Sequence, residues 1–242
     1  MLRIEHFSKT YTGKNKAVDD LTLHVPPGQV HGFLGHNGAG KTTTLRCIAG
    51  ILTFDDGDIF VDGSSVKANP ITTKSITAFI PDNPDLYDFL NGVTYLNFIA
   101  DLYEISAEDR QARIKKYADL FELTAALGSP IASYSHGMKQ KLALISAFIR
   151  NPRLLILDEP FVGLDPIAAR TMKDLMAELC RDGGSVFFST HVLDVAEKIC
   201  THISIIKGGR LLVSGKTEDI VKDSSLENVF LELAEHSSVF SI

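Results

Sequence analysis

The hydrophobic and polar positions change period several times along the chain, and each change marks a predicted element. Residues 2–7 (LRIEHF) and 18–25 (VDDLTLHV) alternate with period two, with Leu21, Leu23 and Val25 on one face. They predict an antiparallel β layer ahead of the turn at PPGQV. QVHGFLG, LLILD and SVFFST are continuous apolar runs, as expected of parallel strands buried on both faces. TTLRCIAGIL carries Leu45, Ile48, Ala49 and Leu52 at helical spacing, and Asp56-Gly57 and Asp62-Gly63 bracket a short strand. Residues 71–82 (ITTKSITAFIPD) predict a strand ending at Pro81. From 83 to 150 the pattern is helical: one helix with Val93, Leu96, Ile99, Ala100 and Tyr103 as its apolar stripe, a second over 107–123, a third over 136–150. Strand–helix alternation resumes at 153, with helices at 166–181 and 192–199 and a hairpin-like pair in ISIIKGGRLLVSG. The tail SLENVFLELAE places Leu226, Val229, Phe230 and Leu233 on one helical face. The chain is therefore α/β with an all-helical insert, and it contains no internal repeat.

At 242 residues and 45% hydrophobic, the chain buries a sizeable core as one large or two closely joined domains. Its formal charge of −6 does not favour nucleic acid as a partner, and none is expected. Cys47, Cys180 and Cys200 are far apart and form no C-x-x-C pair, so three reduced thiols are expected. The eight histidines make no metal-ligand cluster. No apolar run approaches the roughly 20 residues that span a bilayer, and MLRIEHFSKT does not resemble a signal peptide. A soluble, cytoplasmic protein is expected.

The candidate chemistry centres on Gly35–Thr43, GHNGAGKTT, which fits the phosphate-binding pattern G-x-x-x-x-G-K-[ST] between a predicted strand and a predicted helix. Backbone N–H groups of such a loop point at phosphate oxygens, and the helix N-terminus adds partial positive charge. Lys41 would reach the β- and γ-phosphates, and the Thr42 hydroxyl would ligate Mg²⁺. Asp158 ends the apolar strand LLILD, at the sheet edge where open α/β sheets bind ligands. It is suited to hold Mg²⁺ through water, and Glu159 to orient or deprotonate an attacking water. Ser135 would cap the helix beginning near His136, leaving free N–H groups beside Gly137. His191 follows the strand SVFFST, which should neighbour LLILD and end near the same phosphate.

The ordered set GHNGAGKTT, YSHGMKQ, LLILDEP, GLDP and STH resembles the nucleotide-binding subunit of ABC transporters over nearly the whole chain. The resemblance implies a RecA-like P-loop NTPase core with an antiparallel β subdomain and an inserted α-helical subdomain. It divides one ABC ATPase domain into 1–82 and 151–215 as core with β subdomain, 83–150 as helical subdomain and 216–242 as a C-terminal helical tail. Tyr11 matches the aromatic position that stacks on adenine. Gly35, His36, Asn37, Gly38, Ala39, Gly40, Lys41, Thr42 and Thr43 match Walker A. Asp158 matches Walker B, Glu159 the catalytic carboxylate, Asp165 the D-loop and His191 the switch histidine. Ser135 to Gln140, Ser135 and Gly137 above all, match the signature motif, which contacts ATP held by another subunit. The implied ligands are ATP and Mg²⁺. The implied partners are a second ATPase subunit, in a homodimer or heterodimer, and an integral membrane permease. The implied location is peripheral, on the inner face of the cell membrane.

Three departures stand out. Asp82 replaces the glutamine expected before the helical insert, so a carboxylate would ligate Mg²⁺ or position water there. His136 and Met138 replace a glycine and a glutamine of the signature, and Phe161-Val162 replaces a small polar pair. None removes a phosphate, metal or base ligand, so an active ATPase is expected. His36 stands where a smaller residue is common. The LYDFLNGVTYLNF segment and the short tail resemble bacterial exporter-type systems, and the groove around 82–100 would dock the membrane subunit's coupling helix. The alternatives are a soluble ABC protein of cofactor assembly, DNA repair or translation, and a P-loop small-molecule kinase. Repair types insert long coiled coils and translation factors join two ATPase domains, neither of which occurs here. A kinase gives no reason for the signature or His191.

Overall fold

Two strands open the chain, β1 (Leu2–Thr10) and β2 (Lys16–Val25), followed by β3 (Val30–Leu34) and α1 (Lys41–Ile48). Next come β4 (Asp56–Val61), β5 (Ser64–Ser65), α2 (Pro70–Ile76) and β6 (Thr77–Ile80). Three helices, α3 (Gly92–Leu102), α4 (Ala107–Leu120) and α5 (His136–Phe148), form the insert. Alternation returns with β7 (Leu154–Asp158), α6 (Pro166–Arg181), β8 (Ser185–Thr190), α7 (Leu193–Ile199), β9 (His202–Lys207) and β10 (Arg210–Lys216). The helices α8 (Thr217–Val221) and α9 (Leu226–His236) come last. This computed structural model describes residues 1–236 apart from 14 and 223; the final residues of the expected tail lie outside the described residues.

The apolar runs form the middle of a six-stranded sheet of order β10-β9-β3-β8-β7-β6. All its pairs are parallel except β9–β10. A smaller antiparallel sheet, β2-β1-β4-β5, lies beside it. Strand side chains alternate between faces, and here both faces are covered. Leu155 and Leu157 of β7 and Val186 and Phe188 of β8 join a core with the helical insert, including Leu96, Phe121 and Leu144. Leu154, Ile156 and Phe187 join the opposite core, with α1 and the smaller sheet through Leu45, Leu21 and Leu23. The continuous apolar runs follow from that two-sided burial.

Two local expectations are corrected. Residues 71–82 are not one strand: α2 occupies Pro70–Ile76 and only Thr77–Ile80 is extended. Pro70 at the first helical turn presets the helical φ, and the Thr73 hydroxyl donates to the Asn69 carbonyl, so the β-branched run is overridden. In α3 the buried face is Gly92, Tyr95, Leu96 and Ala100, whereas Val93 is 38% exposed. A side chain at Gly92 would lie 2.5 Å from the Tyr134 hydroxyl, so the helix turns its glycine inward and Val93 outward.

A titratable ring is enclosed by the large sheet. His31 on β3 is buried, with Nε2 2.8 Å from Ser204 Oγ on β9, itself 2.8 Å from Ser214 Oγ on β10. Burial, reinforced by His202, pulls its pKa from 6.5 to about 3. The unfolded chain takes up this proton near pH 6.5 and the folded chain only near 3. Stability therefore falls as pH drops through that window, by at most about 1.4 kcal/mol per unit. In urea unfolding, the wild type should lose more stability between pH 7 and pH 5 than His31→Leu does. Equal losses in the two proteins would remove His31 as the source.

Candidate functional site

The register of the large sheet gathers the site. Asp158, the last residue of β7, pairs with Ser189 of β8, and Leu34, the last of β3, pairs with Thr190. The loop leaving β3, the carboxylates leaving β7 and His191 leaving β8 therefore emerge at one edge. The loop and the carboxylates border a cavity of about 390 Å³ whose wall includes Tyr11, His36 to Gly38, Gly40 to Thr43, Asp82, Asp158 and Glu159. A pocket of that size suits a small organic ligand.

The glycine loop is shaped by close contacts. Gly40 has φ 105°, and a Cβ there would stand 2.4 Å from the Ala17 carbonyl oxygen, so no other residue fits without displacing the neighbouring strand. Gly40 precedes α1 without a side-chain cap, which leaves the helix N-terminus open to an anion. The Thr44 hydroxyl donates to the Gly40 carbonyl at 2.9 Å and fixes the first turn. Ala39 is buried, donating from its N–H to the His36 carbonyl and accepting from Gly209. Lys41 is 6% exposed, and its ammonium donates to the Gly35 and His36 carbonyls at 2.6 and 3.3 Å. Burial lowers its pKa, while the negative charges of Glu159 and Asp158 act the other way. The loop carbonyls thus stow a cation beside the cavity.

Asp158 is 3% exposed and accepts a short hydrogen bond from Ser189 Oγ. Its neighbour Glu159 has φ 48°, a left-handed backbone that strains a residue with a side chain. That conformation is held by its N–H donating to the Ser189 carbonyl at 3.1 Å. The Glu159 carboxylate lies 2.8 Å from His191 Nδ1 and also accepts from the His191 backbone N–H at 3.4 Å. With its hydrogen on Nδ1, the imidazole donates to the carboxylate. Tyr11 is 51% exposed at the cavity mouth, its hydroxyl 3.2 Å from Thr43 Oγ1. Asp82 accepts from the N–H of the next residue, Asn83.

Of the expected residues, Ser135 and Gly137 stand apart, and Gly35, Ala39 and His191 do not line the cavity either. Ser135 caps α5, accepting from Met138 N–H at 3.3 Å, as expected. Neither it nor Gly137 borders the cavity. They sit against the segment following β7 instead: a Cβ on Gly137 would be 2.9 Å from the Gly163 carbonyl, and a Cβ on Gly163 would be 2.7 Å from the His136 ring. Lys141 of α5 pairs with Asp165 at 2.6 Å, and Asp165 also caps α6. Ser189, Lys141 and the site contact of Phe230 were not among the expected features. The hydroxyl one register step from Asp158 was a usable signal for Ser189; the contact of Phe230 with His36 gave none.

Comparison with known proteins gives the family. A family model described as ABC transporter matches residues 18–162. The chain is 32% identical to the ABC-type transporter ATP-binding protein EcsA of Bacillus subtilis, over 98% of both chains. A solved ATP-binding subunit of an ABC transporter superposes with TM-score 0.92 at 33% identity, covering 97% of this chain and 99% of that one. The dimeric ATP-binding cassette MJ0796, bound to ADP and Pi, superposes with TM-score 0.81 at 22% identity, covering 90% of this chain and 99% of that one, which shows the shared fold. The chain belongs to the ABC transporter family, as one of its ATP-binding subunits.

Proposed function

We propose that this chain binds ATP in the cavity at the strand ends, hydrolyses it when closed against a second ATPase subunit, and so drives export through a separate membrane protein. The observation that carries the reading is the cavity wall on which the glycine loop, Lys41, Asp158 and Glu159 converge, with His191 bonded to Glu159. We read the chain as one ABC ATPase domain with the core, helical insert and tail divided as expected from sequence.

The residues take these roles. The Tyr11 ring stacks on the adenine. The loop N–H groups of Gly38 to Thr43 and the Lys41 ammonium hold the phosphates, with Lys41 exchanging its carbonyl partners for phosphate oxygens. The cavity wall carries three carboxylates, of Asp82, Asp158 and Glu159, and one ammonium. A triphosphate adds further negative charge, so the site needs a cation to bind it. Among the described residues no group of three His, Cys, Asp or Glu forms a metal cage, which fits Mg²⁺, held by few protein oxygens together with phosphate and water. The Thr42 hydroxyl and the carboxylates of Asp158 and Asp82 would hold it. When bound it neutralises charge on the phosphates. Glu159, oriented by His191, takes a proton from the attacking water. The water oxygen bonds to the γ-phosphorus, and the bond to the β-bridging oxygen breaks with its electron pair leaving on ADP.

Ser135 and Gly137 lie off their own chain's cavity, which supports their use on ATP held by a second copy. The MJ0796 cassette, dimeric with ADP and Pi bound, is consistent with that closure. Tyr87, Phe89 and Phe98 are exposed in and near the 82–100 groove, which supports docking of a membrane subunit there. Among the described residues no helix is long and apolar enough to cross a membrane itself, in keeping with a peripheral position on its inner face.

Three experiments test the reading. Glu159→Gln should bind ATP, lose on the order of 100-fold or more of its turnover, and accumulate as an ATP-bound dimer in size-exclusion chromatography; near-normal turnover would sink the base assignment. Asp82→Ala should shift the Mg²⁺ dependence of ATPase activity to higher concentration, and an unchanged titration would reduce Asp82 to a hinge. Purified from detergent extracts, the tagged chain should bring down a multispanning membrane protein, and its absence would favour a soluble role.

A further inference from the structure

The residue of the phosphate loop without an evident reason is His36, and its ring has a partner far along the sequence. Phe230 of α9 meets it edge to face, ring centroids 4.7 Å apart and planes inclined by 66°. That is an attractive aromatic geometry. The same residue is the hub of the loop's own bonding, since its carbonyl accepts from the Ala39 N–H at 3.1 Å and from the Lys41 ammonium at 3.3 Å. Fixing the His36 ring therefore restrains the longer of the two carbonyl contacts that stow Lys41, beside the shorter one from Gly35.

The helix that supplies Phe230 is anchored independently. Leu226 is fully buried, and its N–H donates to Glu197 Oε2 on α7 at 2.8 Å. Ser225 Oγ accepts from the Asn228 N–H at 3.2 Å and caps the first turn. The helix α7 begins two residues beyond His191. Thus α9 touches the apex of the phosphate loop through Phe230 and the helix following His191 through Glu197.

We infer that Phe230 is a positioning residue for nucleotide binding, acting through His36 to hold the phosphate loop in its ligand-ready shape, so that seating of α9 and occupancy by ATP are coupled. The inference rests on the cavity being the ATP site. Three glycines, Gly35, Gly38 and Gly40, lie in this loop, and glycine-rich backbone loses much conformational freedom on ordering. A contact that keeps the apex ordered before ligand arrives removes part of that cost from binding. By reciprocity, ATP tightens the hold of α9 by the same factor.

The test is a double-mutant cycle on the full chain, with ATP affinity measured by calorimetry with Mg²⁺ and KM and kcat by phosphate release. Phe230→Ala and His36→Ala should each raise the ATP Kd and KM by about two- to tenfold, the range an aromatic pair supplies. For Phe230→Ala, kcat should stay nearly unchanged. The double variant should be no weaker than the weaker single one, and Phe230→Tyr should restore wild-type affinity. His36 is exposed, so His36→Ala keeps the test open if Phe230→Ala fails to fold. Wild-type protein that binds ATP while the two effects add, or while Phe230→Ala leaves KM unchanged, would overturn the coupling alone. Wild-type protein that binds no ATP would overturn the site assignment beneath it.

Discussion

The site depends on strand register in the parallel sheet. Both faces of β3, β7 and β8 are buried, so a slip of one residue would exchange the apolar sets of the two cores. The pairing of Leu157 with Phe188 and of Phe33 with Ser189 is therefore fixed by packing on two sides. Once those pairs are set, the ends of the three strands arrive at one edge together. The hydrogen bond from Ser189 to Asp158 and the contact of His191 with Glu159 are consequences of that arrival. The polar site is thus positioned by apolar residues several steps back along each strand.

Much of this was legible in the sequence because the same physics writes both. LLIL and VFF run without a polar position, as strands covered on both faces do, and the glycine loop lies between a strand and a helix. What was not legible depended on contacts between distant segments. Pro70 and Thr73 turned a β-branched run into α2, and the inward placement of Gly92 against Tyr134 rotated α3 so that Val93 faces outward. Sequence placed Ser135 at a helix N-terminus. That this terminus rests on Gly163 and is tied through Lys141 to Asp165 required the folded chain. The use of His36 became visible only when α9 was seen against the loop.

The charges of the cavity favour a ligand that arrives with a cation, as proposed above. Lys41 is the one Lys or Arg among the described residues of the wall, and it faces three carboxylates. A buried ammonium with no partner would be costly; here two backbone carbonyls accept from it, and the nearby carboxylates work against the burial that lowers its pKa. The cavity is negative before nucleotide enters, so nucleotide and cation favour each other's binding.

The left-handed backbone of Glu159 has a further consequence. Non-glycine residues in such regions carry about 1–3 kcal/mol of strain, and here that strain falls on the carboxylate we assign as the base. A glycine at 159 would relax the backbone while removing the carboxylate, so local stability and turnover pull in opposite directions. A β-branched residue would be worse on both counts. The amino acids tolerated at this position are thereby limited twice, by the reaction and by the torsion angle, and a variant scan scored on folding alone would rank the native residue below an inactive one.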